Sequence, residues 1–242
     1  MITLVKATVV VTVLMVGLVL ASSADAGIVG TAQIKVTGNF EGNMWLKGDG
    51  WTSGVTAWGG IYILDKMGGT GDGVYIPDGT VNSYCIELPQ EAPHEYLDYN
   101  VMLPMDAPLP PLYGSPMGAA KQTLLSELWG RHYAEAATDG LMARTFSACV
   151  WEILYETDPK PWNVSTGSGF QCTNVDADLA NGWLAGLDGT GPMANLRSLV
   201  RADAQDYLVQ IPGNGTPVPE PATLAFFAAG LGGMVLRRRR PK

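Results

Sequence analysis

Histidine and cysteine, the side chains from which most metal and nucleophilic sites are built, are scarce in this chain. Among 242 residues there are two histidines, His94 and His132, and three cysteines, Cys85, Cys149 and Cys172. No two cysteines form a C-x-x-C pair, so the ligand spacing of a structural zinc site is missing and no metal site is expected. No G-x-S-x-G is present either, and Gly167-Ser168-Gly169 has the wrong spacing for a serine nucleophile on a strand-to-helix elbow. Positive charge is thin between the two ends. Lys6 and Asp25 fall in the first 26 residues, and Glu220 with five basic residues in the last 26, which leaves 9 basic and 21 acidic residues between them. A body of net charge −12 repels phosphate backbones, so nucleic acid is excluded as a partner. Long apolar runs are missing too: the two terminal apolar stretches without a charge, Ala7 to Leu20 and Ala222 to Leu236, hold 14 and 15 residues.

Those two short runs carry the clearest information. The first follows Lys6 and leads into Ala21-Ser22-Ser23-Ala24-Asp25-Ala26. A basic start, an apolar middle and small residues at Ala24 and Ala26 predict a signal peptide, residues 1–26, cleaved after Ala26. The second run, as a helix, spans about 22 Å against roughly 30 Å of hydrocarbon, which is marginal for a permanent anchor. It is followed by Arg237, Arg238, Arg239 and Arg240, a stop to transfer that keeps the C-terminus inside. Before it, three prolines between Pro217 and Pro221 exclude ordinary helix and leave an extended, accessible stretch. Pro219-Glu220-Pro221, an apolar helix over 222–236 and a basic end over 237–242 together resemble the bacterial PEP-CTERM sorting signal. The resemblance covers residues 217–242. It implies an exosortase as transient partner, passage through the inner membrane, and release or re-attachment at the cell surface or in the extracellular matrix.

The body, residues 27–216, is long enough for one domain with a core of its own. Strand-like segments come first, over 27–107: Ile28 to Thr37, Val55 to Leu64, Val81 to Leu88 and Tyr96 to Leu103, separated by glycine-rich turns. Helical patterns follow over 114–210. Ser115-Pro116 reads as a helix start, Leu141 to Glu156 as a central helix apolar nearly all round, and Ala194 to Leu208 as a further helix, with a short one around Leu179 and Trp183. Strands first and helices later predict an α+β fold: an antiparallel, sandwich or barrel-like N-terminal part packed with a C-terminal helical part.

Within the body, Ser83-Tyr84-Cys85-Ile86-Glu87 and Phe146-Ser147-Ala148-Cys149-Val150-Trp151 resemble the thioester-domain type of surface protein. In that family a cysteine on a strand and a glutamine on a helix form an internal thioester that captures a nucleophile on a target. The resemblance runs from about Ser83 to Asp158. It puts Ser147 where the glutamine stands, and serine has no carboxamide to receive the sulfur, so Cys85 and Ser147 mark a degenerate thioester position. Gln122 and Gln171 are nearby but match no motif. Export permits one disulfide among three cysteines, and the sequence leaves its pairing open.

Other candidates are thinner. A thiol nucleophile at Cys85 with His94 or His132 as base has no protease signature around it. Glu91 and Glu95 supply two carboxylates for a hydrolase, but on a proline-flanked loop. Asp49, Asp72 and Asp78 stand beside glycines, where Ca²⁺ finds oxygen ligands; the ligand rhythm of a calcium loop is absent, and turn chemistry is the expectation, with no cofactor and no catalytic residue. Trp45, Trp51 and Trp58 are candidates for stacking on sugar rings. Asn163-Val164-Ser165 is a glycosylation-type triplet to which no role is given. The sequence thus points to a non-enzymatic, exported envelope or matrix protein. A surface adhesin or glycan-binding module, with exopolysaccharide or other surface glycans as partner, is the alternative, and a hydrolase the third.

Overall fold

From Thr31 to Val36 side chains point outward and inward in turn, with Ala32, Ile34 and Val36 buried, the period of a strand with one face on a core. In the computed structural model, which describes residues 27–48, 53–109, 115–156, 161–166 and 169–213, that strand, β1, runs over Ile28–Lys47. The leader with Ala24 and Ala26 and the tail from Pro219 to Arg240 lie outside the described residues, as do Asp49 and Trp51. Register shifts between Ala32 and Gln33 and between Val36 and Gly38 break β1's pairing with β2 (Val55–Gly71). Bulges of this kind bend a strand and increase its twist, which a 20-residue strand needs to follow a curved sheet.

Five further strands complete the sheet: β3 (Gly79–Cys85), β4 (Leu97–Met102), β5 (Gln171–Cys172), β6 (Leu196–Val200) and β7 (Tyr207–Gln210). Every pairing is antiparallel. The order β1–β2–β3–β7–β6–β4 returns to β1 and closes a six-stranded barrel, with β5 added along the far end of β1. Closure removes the edges of the ring itself, while the β1–β2 hairpin reaches beyond it, where Val55 to Ile61 pair with β1 alone. The barrel-like expectation for the N-terminal part is therefore met, but the barrel is completed by strands from the other end of the chain.

Three helices cover it: α1 (Gly118–Ala136), α2 (Gly140–Tyr155) and α3 (Ala177–Ala185). Asp139 caps α2, its carboxylate accepting from the backbone N–H groups of Leu141 (2.8 Å) and Met142 (3.0 Å). At the other end the Lys121 ammonium donates to the carbonyls of Ile153 and Leu154, satisfying acceptors that the helix leaves open. Every side chain from Thr145 to Tyr155 is buried, because α2 packs on β1 and β2 on one side and on α1 and α3 on the other. The facing stretch of β2, Gly59 to Tyr62, is buried on both of its faces for the same reason.

Two expectations are corrected. Ala194 to Leu208 is not a helix but most of the β6–β7 hairpin, in which Leu199 pairs with Tyr207 and Ser198 with Leu208. Its apolar residues fit a helical period, yet the open barrel offers backbone partners on β4 and β3, and ladder bonds to both win over local pattern. Ser115-Pro116 does not cap α1, which begins at Gly118 with Met117 before it. Instead Pro116 bridges Pro108, and Ser115 accepts from the Leu109 N–H (2.7 Å).

Candidate functional site

The β1–β2 hairpin pairs Asn43 with Trp58 and Trp45 with Thr56. Paired residues share a face, as do residues two apart on a strand, so Trp45 and Trp58 stand diagonally on the same side of the sheet. Both are open to solvent, at 40% and 49%. Trp45 packs against Gly54, where a Cβ would come within 2.2 Å of its ring. Trp58 borders a cleft of about 580 Å³ whose walls include Asn39, Tyr62, Gln90, Glu91, His94 and Gln205. Its polar groups are unevenly satisfied. The Tyr62 hydroxyl donates to the Trp58 carbonyl (3.0 Å), and Gln90 Nε2 to Glu87 Oε1 (3.0 Å). The side-chain carbonyls of Asn39 and Gln90, by contrast, are buried with no donor within reach. The exposed indole beside a cleft with polar walls suits a ligand with a flat apolar side and polar edges, while the two orphan carbonyls lie beneath the cleft surface.

Below the cleft lie Cys85, at the end of β3, and the helix α2 that carries Ser147. The Trp151 indole N–H on α2 donates to the Cys85 carbonyl at the end of β3 (3.0 Å), so the two segments meet. Ser147 faces a different group: its hydroxyl oxygen accepts the Gly60 N–H at 2.8 Å. Gly60 has φ 111°, a conformation that glycine holds without strain and that aims this N–H at the helix. The carboxamide beside Cys85 belongs to Gln205, on the turn between β6 and β7. The Cys85 thiol (2.9 Å) and Gln205 Nε2 (3.2 Å) donate to the same acceptor, the Glu87 carbonyl, and Gln205 Oε1 accepts from the Tyr207 hydroxyl (3.0 Å). No sequence signal links Gln205 to Cys85, because 120 positions separate them and the segment reads as helix. Gln122 is committed to the Met105 N–H and Gln171 lies on β5.

Burial holds the Cys85 thiol well above its ordinary value, and the charges of Glu87 and Asp206 push it further. Asp206 is lifted to about 8, first by burial and then by Glu87, despite the bond it accepts from the Arg201 N–H (2.7 Å). Burial likewise raises Glu87. Burial therefore keeps the Cys85 thiol and the Asp206 carboxyl protonated at a pH where a free carboxylate is already charged.

The remaining candidates scatter. His132 stacks on Trp183 with ring centres 4.8 Å apart, away from Cys85, while His94 borders the cleft. Glu91 and Glu95 are exposed on the loop before β4. Asp72 pairs with Arg197 (2.6 Å) and Asp78 with Lys66 (2.7 Å), so each of these turn carboxylates already holds a cation of the protein. Among the described residues, no cluster of three or more His, Cys, Asp or Glu groups is arranged to hold a metal. No helix among them is long and apolar enough to cross a membrane. Asn163 folds its side chain back onto the Ser165 and Thr166 N–H groups.

Comparison with known families places a PEP-CTERM protein-sorting motif at residues 217–240. No curated protein and no solved structure matches the chain.

Proposed function

We propose that this exported, exosortase-sorted protein serves at the cell surface or in the matrix as a non-enzymatic glycan-holding module. Its address is the motif at residues 217–240. The observation that carries the glycan reading is the hairpin face on which Trp45 and Trp58 are both exposed, with Trp58 at the rim of a cleft with polar walls. A pyranose offers both parts of the match: an apolar ring face for the indoles and hydroxyls for the polar groups that wall the cleft. The acidic body favours neutral or cation-bridged polymers over polyanions. The test is affinity electrophoresis and calorimetry with exopolysaccharide purified from the host. Retardation lost in Trp58→Ala supports the reading, and equal retardation of wild type and Trp58→Ala ends it.

A second reading is covalent, and the convergence of Cys85 and Gln205 on the Glu87 carbonyl favours it. Attack of the Cys85 sulfur on the Gln205 side-chain carbon would form a thioester and release ammonia, with Tyr207 donating to the developing oxyanion. The cleft above leads to Gln205, so a surface amine or hydroxyl could reach the bond. This reading replaces the glutamine missing at Ser147 with one from the opposite end of the body. Intact mass decides it: a deficit of one ammonia, recovered as an adduct with methylamine, supports the thioester, and full mass leaves Cys85 a core thiol.

A further inference from the structure

Trp151 turns one side of α2 towards Cys85 through its indole N–H. Cys149 stands two residues earlier, and residues two apart on a helix do not face the same way. Its thiol points instead to α3, where it meets the Ala180 carbonyl at 3.6 Å. The segment carrying Cys172 is tied along this same side of α2 at two points. The Phe170 N–H donates to the Glu156 carboxylate (3.1 Å) and the Asp176 N–H to the Thr145 hydroxyl (3.0 Å). Cys149 lies one turn from Thr145, between those two anchors, and Cys172 lies between Phe170 and Asp176. Both cysteines are buried, at 0% and 5%. The two thiols also feel each other: after burial, a negative charge on Cys172 is the next cause raising Cys149, and Glu152 raises both.

We infer that Cys149 and Cys172 are joined as a disulfide once the chain has left the cytoplasm, while Cys85 takes no part in it. The three thiols are separate in this structure. The inference rests on the exported location, since cytosolic thiols are kept reduced. The oxidant is the disulfide of an oxidised dithiol oxidoreductase in the export compartment. One cysteine thiolate attacks the donor disulfide, the second displaces the donor from the mixed disulfide, and the donor leaves as a dithiol with the two electrons and two protons. Because both sulfurs end up buried, exchange precedes closure of α3 and β5 over α2. The bridge pins the segment that supplies β5, and hence the added strand along β1, to the central helix.

The test is peptide mapping of the exported protein recovered from its host, alkylated under denaturing conditions before and after reduction. The expected result is a linked pair of peptides containing Cys149 and Cys172, lost on reduction, with no bridge to Cys85. Mapping reads the pair directly, so the outcome does not depend on whether Cys85 is acylated. The same chain refolded in a glutathione redox buffer separates the premise from the geometry. A bridge there, with three alkylated thiols in the host sample, overturns the claim that it forms in the host and keeps the pairing. Three free thiols in both samples, or a bridge to Cys85 in either, overturns the pairing. Cys85→Ser should leave the bridge intact, and Cys172→Ser should abolish it.

Discussion

The tryptophans of the helical side and those of the β1–β2 hairpin behave in opposite ways. Trp129, Trp151 and Trp183 are buried to 5% exposure or less, and the first two spend their indole N–H groups inside the protein, on Gln210 (2.9 Å) and on the Cys85 carbonyl. Trp129 also stacks on Tyr133 at 4.7 Å, within an aromatic cluster that includes Tyr84 and Phe146. Trp45 and Trp58 leave nearly half of their surface in water on one face of a paired hairpin. The same side chain fastens the helices to the barrel in one place and contributes little to the fold in the other. An aromatic that the fold does not need is a sign of something outside the fold.

The sharpest way to break that contrast is to truncate one member of each group. Trp151→Ala leaves a cavity under α2 and removes the donor to Cys85, and should cost about 4 kcal/mol in chemical denaturation. Trp58→Ala should shift the same midpoint by less than about 0.5 kcal/mol. Equal losses at both positions would dissolve the distinction.

A smaller effect is expected where the helical side is held by charge. Glu127 is fully buried, bonded to Arg131 at 2.7 Å and to the N–H groups of Asp188, Gly189 and Gly191. Those donors keep its carboxyl below the ordinary value although burial opposes them. Its contribution is present above the unfolded carboxylate range and lost as pH falls through the lowered folded value. Glu127→Ala should cost roughly 3 kcal/mol at neutral pH, and less in acid, in urea titrations at several pH values.

On the hairpin side the expected change is in binding. Trp58→Ala should weaken retention on host exopolysaccharide about tenfold, roughly 1.4 kcal/mol, with Trp45→Ala weaker in effect because Trp45 does not border the cleft. Calorimetry on both variants ranks them, and the reverse order would move the binding face along the hairpin.

The smallest effect concerns the buried corner beneath the cleft. Asp206 titrates near 8 when folded, above the ordinary value of about 3.9. The folded chain therefore holds this proton longer than the unfolded one, so the contribution is fully present below about pH 4 and is lost as pH rises towards 8. Asp206→Asn should flatten that slope and raise Tm at pH 9 by about 2–4 °C relative to wild type. A wild-type Tm independent of pH from 5 to 9 would show that Asp206 is ionised in the folded protein.

Much of the frame is legible along the chain. The alternation of Ala32, Ile34 and Val36 marks β1, and the all-round apolar stretch from Phe146 to Tyr155 marks α2 with its burial on several sides. Asp139 shows the limits of boundaries: the cap sits one residue before the helix, two before its expected start. Leu196, Leu199 and Val200 satisfy a helical period and a short buried strand equally well, so only the partners β4 and β7 decide between them.

By itself, then, the sequence determined the address and the local elements, because a sorting motif, a strand period and a helix face are each written within some 25 consecutive residues. Tertiary structure alone decided that β6 and β7 close the barrel, that Gln205 brings a carboxamide beside Cys85, and that Cys149 turns away from Cys85. Each of these depends on antiparallel registers joining segments far apart in the chain. Local propensity carries no record of such pairings; they follow from where a curved sheet finds its last unpaired edges.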